Sequence, residues 1–252
     1  GEGIRPPEGA VIWDLAATAD GEFLYLATGG PGAVYRLEVS SGEMTKVLDP
    51  DAPLLRALHV DPDGNLFAGS SPEGRIYRVA GGEGFPELYA NLESLYVWSI
   101  EADPANEGAL LVAAGVPGRI YRLPADFAPG DEPEVVVEAD VSHITTFAEA
   151  PDGSLFYATG PGGHLVRRID ADRSETLVEL GRAEVRRIFP NDDGSVLIAV
   201  YRSDRSGESA GENEESESSS PPPSGLPSGI FRVGPEGFVE MLLAGSDEKV
   251  FS

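Results

Sequence analysis

The chain has 252 residues, 41% of them hydrophobic, enough for a real core, and its 31 glycines and 21 prolines announce many turns. No long helical pattern occurs, and no apolar run approaches the roughly 20 residues of a membrane span. A formal charge of −25, with Lys46 and Lys249 the only lysines, sets the chain against nucleic acid and anionic membranes over the range of a Debye length, and the absence of cysteine excludes disulfides, thiolate metal sites, iron–sulfur clusters and cysteine catalysis. The acidity serves solubility or salt adaptation, or else draws cations or a basic partner. The start, GEGIRPPEGA, carries no signal-peptide pattern and no Met, and reads as a processed end; EKVFS stops as abruptly.

In chain order the sequence resolves into repeats. The first, about 11–50, opens on VIWDLA, turns at Gly21 (ADGE), continues as FLYLATG and reaches GAVYRL from Gly32. The second, 54–92, reads LRALHV, a turn at Gly64 (PDGN), NLFAGS, then GRIYRV from Gly74 and PELYA. The third, 96–139, turns at Gly108 (NEGA) and contains LLVAAG and GRIYRL from Gly118. The fourth, 143–180, turns at Gly153 (PDGS) and contains SLFYATG and GHLVRRI from Gly163. The fifth, 184–244, turns at Gly194 (DDGS), continues as SVLIAV, and reaches GIFRV from Gly229 only after an insertion of about 203–228. A sixth is expected to begin at the end, where Val250 falls on the position of Ile12, Leu55, Val97, Ile144 and Val185, and Phe251 on that of Trp13 and Trp98.

The turn glycines lie 43, 44, 45 and 41 residues apart. Each unit holds four short strand-like runs bounded by Gly, Pro, Asp or Asn. Asp-Gly between apolar runs is a hairpin signal, since glycine takes positive φ without steric cost. VIWDLA, FLYLATG, LLVAAG, SLFYATG and SVLIAV are apolar on both faces, which predicts sheets covered on both sides. Four strands per unit at this period predict an all-β chain, a β-propeller of four-stranded antiparallel blades, with residues 1–252 as one domain. The DPDGNLFAG, PDGSLFYATG and GRIYR elements resemble the NHL and WD40-like repeats of large bacterial propeller proteins, the broad class that includes two-component-regulator and gluconolactonase-type propellers. The resemblance covers nearly the whole chain, although the Gly-His and Trp-Asp signatures of WD40 blades are missing. It implies a binding platform, and it favours export over the cytoplasm.

Four chemistries compete with turn and core roles. Asp61, Asp63 and Asn65 alternate around Gly64 like a Ca²⁺ loop, but position twelve is Pro72 instead of a bidentate Glu, so a β-turn is the better reading. GGPG, SSPEG, GVPG and GPGG join second to third strands, yet no helix pattern or Lys-Ser/Thr pair follows, which argues against a phosphate loop. His59, His143 and His164 occupy different repeat positions, so no two are constrained to meet, and no G-x-S-x-G is present. A lactonase-like hydrolase needs about six oxygens around a divalent cation, whereas the innermost strands offer Trp13, Arg56, Trp98, Thr145 and Arg186, with Asp14 and Glu184 the nearest carboxylates. No cofactor, metal site or catalytic residue is assigned.

What remains is a rim. The first strand of each blade starts at the end where the second-to-third-strand loops emerge. That rim gathers Trp13, Arg56, Trp98, His143, Thr145 and Arg186. Leu15, Leu58, Ile100, Phe147 and Ile188 stay apolar from unit to unit, as packing requires, while the rim positions vary. Trp and Arg are also enriched in binding hot spots; the competing reading is that these side chains only line the channel. The expected function is a non-enzymatic module presenting this rim to a protein, peptide or glycan, without nucleic acid or membrane insertion. The alternatives are a metal-dependent lactonase-like hydrolase and an architectural module of a multi-propeller chain. The Ser/Glu/Pro-rich insertion, with Asp204, Glu208, Glu212, Glu214, Glu215 and Glu217 against Arg202 and Arg205, is expected to be disordered.

Overall fold

The computed structural model describes residues 10–171, 173–202 and 227–244. Nearly all of the expected insertion, and Val250 with Phe251, lie outside the described residues. Every repeat supplies four strands. The first holds β1 (Val11–Ala17), β2 (Phe23–Gly29), β3 (Val34–Glu38) and β4 (Met44–Leu48); the second β5 (Leu54–Val60), β6 (Leu66–Ser71), β7 (Arg75–Val79) and β8 (Pro86–Asn91). The third holds β9 (Tyr96–Ala102), β10 (Leu110–Gly115), β11 (Arg119–Leu123) and β12 (Glu134–Glu138). The fourth holds β13 (His143–Glu149), β14 (Leu155–Gly160), β15 (His164–Arg168) and β16 (Ser174–Glu179), and the fifth β17 (Glu184–Pro190), β18 (Val196–Tyr201), β19 (Gly229–Val233) and β20 (Val239–Ala244). Each set pairs in chain order, giving the four-stranded antiparallel blades of a β-propeller. Among the described residues there is no α-helix, only a 3-10 turn at Ala80–Gly82.

The hairpins form where the turn glycines are. Gly21, Gly64, Gly108, Gly153 and Gly194 all take φ between 72° and 80°, a region that costs a residue with a Cβ but not glycine. Single bridges, Gly29 to Leu54 and Gly115 to His143, tie neighbouring blades together. The chain divides into two compact units, residues 1–145 and 146–252. The first has one core around Tyr25, Leu55 and Leu66 and another around Phe67, Val97 and Tyr121; the second packs Phe156, Leu165, Ile188, Ile198 and Phe231.

Among the second strands β6 and β10 are buried along their whole length, as expected, whereas β18, from the SVLIAV run, alternates buried with partly exposed residues and ends on the exposed Tyr201. VIWDLA does not follow that expectation. Leu15 is 52% exposed, whereas Leu58 and Ile100 at the same repeat position are 6% and 1% exposed. Each inner strand is normally covered by the preceding blade, and no described element of the first unit lies in that place for β1.

A candidate binding ledge on the innermost strands

The positions where the repeat varies coincide with bulges. In the β1–β2 ladder Ile12 pairs with Thr28 and Asp14 with Ala27, which leaves Trp13 as the extra residue. Arg56 is the extra residue between Leu55 and Ala57, and Trp98 that between Val97 and Ser99. A bulge re-aims its side chain out of the alternation that otherwise sends residues into the core. That frees one side chain per blade from core packing at the end of the blade where the second-to-third-strand loops lie.

Within the first unit these side chains meet. The Arg56 guanidinium carbon lies 3.8 Å from the Trp98 ring centroid and 4.8 Å from that of Trp13, so one cation packs on two indoles. Trp98 donates its indole N–H to Nδ1 of His143 at 3.1 Å, and the two rings meet edge to face at 5.1 Å. Tyr96 adds a third aromatic ring, 6.1 Å from Trp98 and 5.4 Å from His143. The outcome is an aromatic and cationic ledge. Trp13 at its end is 44% exposed, while Arg56, Tyr96, Trp98 and His143 are half-buried. Burial, and then the charge of Arg56, holds the His143 imidazole below its ordinary pKa.

Two glycines make room for the indoles. A Cβ on Gly29 would lie 2.6 Å from Trp13 Nε1, and one on Gly115 would lie 2.6 Å from Trp98 Nε1 and 2.0 Å from His143 Nδ1. Tyr96 and these glycines were not among the sequence-derived candidates. The available signal was the coincidence, in the first and third repeats, of Trp on the first strand with Gly closing the second.

The other expected rim residues stand differently. Thr145 is half-buried on β13, two residues beyond His143. Arg186, in the second unit, is the bulge residue of β17; it pairs with Glu184 at 3.1 Å and lies 5.1 Å from the Tyr201 ring centroid. Asp14 spends its carboxylate on the backbone, accepting from Leu15 N–H and Leu58 N–H at 2.9 Å each. Asp61 accepts from Asn65 N–H and its side-chain amide at 2.8 Å each, a closed turn in place of a cation loop. Among the described residues no three His, Asp or Glu side chains gather as a metal cluster, and no helix is long and apolar enough to cross a membrane.

No family model and no curated protein matches the chain. Solved structures do. Virginiamycin B lyase from Staphylococcus aureus superposes with a TM-score of 0.68 at 14% identity, over 97% of this chain and 73% of that one. A putative TolB from Agrobacterium tumefaciens gives 0.60 at 16% identity, over 92% and 80%. A chain of a nidogen/laminin complex gives 0.62 at 14% identity, over 79% and 75%. At these identities the likeness is one of fold, and the fold it supports is the β-propeller.

Proposed function

We propose that this chain is a binding module of NHL-like propeller repeats, its blades acting as one domain, and that the Trp13–Arg56–Trp98–His143 ledge takes a protein, peptide or glycan ligand. The observation that carries the reading is the stacking of one guanidinium on two indoles at the bulge positions of three consecutive blades. Stacked Trp and Arg groups are the chemistry of hot spots, and a β scaffold holds them with little freedom left to lose on binding. Propeller neighbours include a chain from a protein–protein complex. They also include an enzyme, a lyase by name, so the fold does not choose between the two classes; the aromatic faces and the stacked cation of the ledge are what support the binding reading. Export is the compartment proposed with this reading.

The test is binding of the purified chain to an array of glycans and peptides, with pull-down for protein partners. Trp13→Ala and Arg56→Ala should each lower affinity by about 2 kcal/mol, roughly thirtyfold, with little change in thermal midpoint. Equal binding by wild type and both variants would remove the ledge as the binding surface.

A further inference from the structure

An indole N–H can only donate, so the 3.1 Å bond from Trp98 requires a bare Nδ1 on His143. The imidazole is therefore neutral, with its proton on Nε2. An imidazolium has no acceptor and would set a second N–H against that of Trp98. The bond crosses directly over Gly115, where even a methyl group would intrude. The groups facing the His143 imidazole are Tyr96 and Trp98 from β9, the backbone at Gly115 of β10, and the charge of Arg56 from β5.

We propose that His143 is an acid-sensitive latch of the ledge: protonation at Nδ1 breaks the Trp98 bond, places a second cation near Arg56 and lets Trp98 leave its seat over Gly115. Burial and Arg56 both favour the neutral form. The closed latch is thus fully stable above the ordinary histidine value of 6.5 and is lost as pH falls through the lowered one. The consequence for binding rests on the ledge being the binding surface; the latch itself does not.

The chain contains its own control. Leu54 bridges to Gly29 as His143 bridges to Gly115, and a Cβ on Gly29 would meet Trp13 Nε1 at 2.6 Å and Leu54 Cδ1 at 2.7 Å. The first copy of the arrangement is therefore built with a leucine, which cannot titrate. His143→Leu converts the second copy to the chemistry of the first.

Trp13 and Trp98 are the only tryptophans, so emission excited at the red edge, where tyrosine does not absorb, reads the two indoles of the ledge. Between about pH 8 and about pH 5 the wild-type chain should show a reversible red shift of emission and a rise in acrylamide quenching, with far-UV circular dichroism unchanged. His143→Leu should abolish the transition. Gly115→Ala, which displaces the imidazole sterically, should show acid-form emission already near pH 8. A wild-type spectrum that ignores pH, or a His143→Leu variant that titrates like wild type, overturns the latch. Wild-type binding to the same glycan and peptide array should fall over the pH range of the fluorescence transition, whereas His143→Leu, whatever its absolute affinity, should bind equally on both sides of it. If Trp13→Ala and Arg56→Ala leave array binding intact, the binding reading fails, and the fluorescence titration still decides the latch.

Discussion

Asp14 illustrates how little the side chains beside the ledge are free to do anything else. It follows the bulge residue Trp13, and its two oxygens accept N–H groups from Leu15 and, across to the next blade, from Leu58. Asp14→Ala withdraws the acceptor that Leu58 N–H uses and should cost about 1–2 kcal/mol in urea unfolding, whereas Asp14→Asn, which keeps a carbonyl oxygen, should cost less. His59 shows the opposite condition. Its Nε2 is buried without a hydrogen-bond partner, beside the Phe67 ring at 6.4 Å, and burial lowers its pKa against a smaller opposing pull from Asp61. The unfolded chain therefore takes up a proton near 6.5 that the folded chain resists, and the unfolded state gains as pH falls. Stability should be full above that value and decline as pH drops through the lowered one. Thermal melts between about pH 7 and about pH 5 should show this fall, and His59→Leu should reduce it, as should His143→Leu.

At the scale of elements, the recurring Arg of the third strand clamps the turn between the first two strands in the last three blades, whereas Arg36 and Arg78 pair with Glu83 and Glu87 instead. Arg167 reaches Asp152 at 2.7 Å and Ser154 at 3.3 Å; Arg232 repeats the arrangement with Asp193 and Ser195; Arg122 binds Asp103 at 2.7 Å. The clamps differ in burial, which decides their worth. The Asp103 side chain is 0% exposed and that of Asp193 54%. Removing Arg122 strands a buried carboxylate, still held by Ala105 N–H and Asn106, and Arg122→Ala should cost about 2 kcal/mol. Arg232→Ala breaks an exposed pair and should change the denaturation midpoint far less. The loops at the ledge end carry strain instead. Val116, next to Gly115, sits at φ 56°, a region that penalises a β-branched side chain by about 1–2 kcal/mol. It is exposed, so little packing is lost on replacement. Val116→Asn, a residue tolerant of that conformation, should raise stability by about 1 kcal/mol in the same urea titrations.

Across the whole molecule, what is legible in the sequence is what every blade must repeat. The turn glycines recur because each hairpin needs positive φ, and the aromatic-Arg run marks the third strand of each blade, so the strand count per unit follows from spacing alone. The ledge is legible by subtraction, since Trp13, Arg56, Trp98 and His143 stand where the repeat stops repeating. Tyr96 and the two glycines are not, because their part depends on register: Tyr96 pairs with Gly115, and one bulge shifts every later pair, a count hidden when each strand is read alone. The exposure of Leu15 on β1 is equally invisible, because VIWDLA is as apolar as its buried equivalents. Charge is the one property that composition sets for the molecule at once. There are 43 acidic residues against 18 lysines and arginines, so even complete pairing leaves a net −25 of mutual repulsion. Raising ionic strength from about 0.01 M to about 0.15 M shortens the Debye length from about 30 Å to about 8 Å. That weakens the repulsion and also the ion pairs, but pairs such as Arg119 with Glu93 or Arg78 with Glu87 have well-exposed carboxylates and contribute little. Repulsion is the larger quantity. The thermal midpoint in sodium chloride should therefore rise over this range and level off once the screening length falls below the spacing of surface charges; a midpoint that falls instead would mean the arginine clamps outweigh the surplus acid.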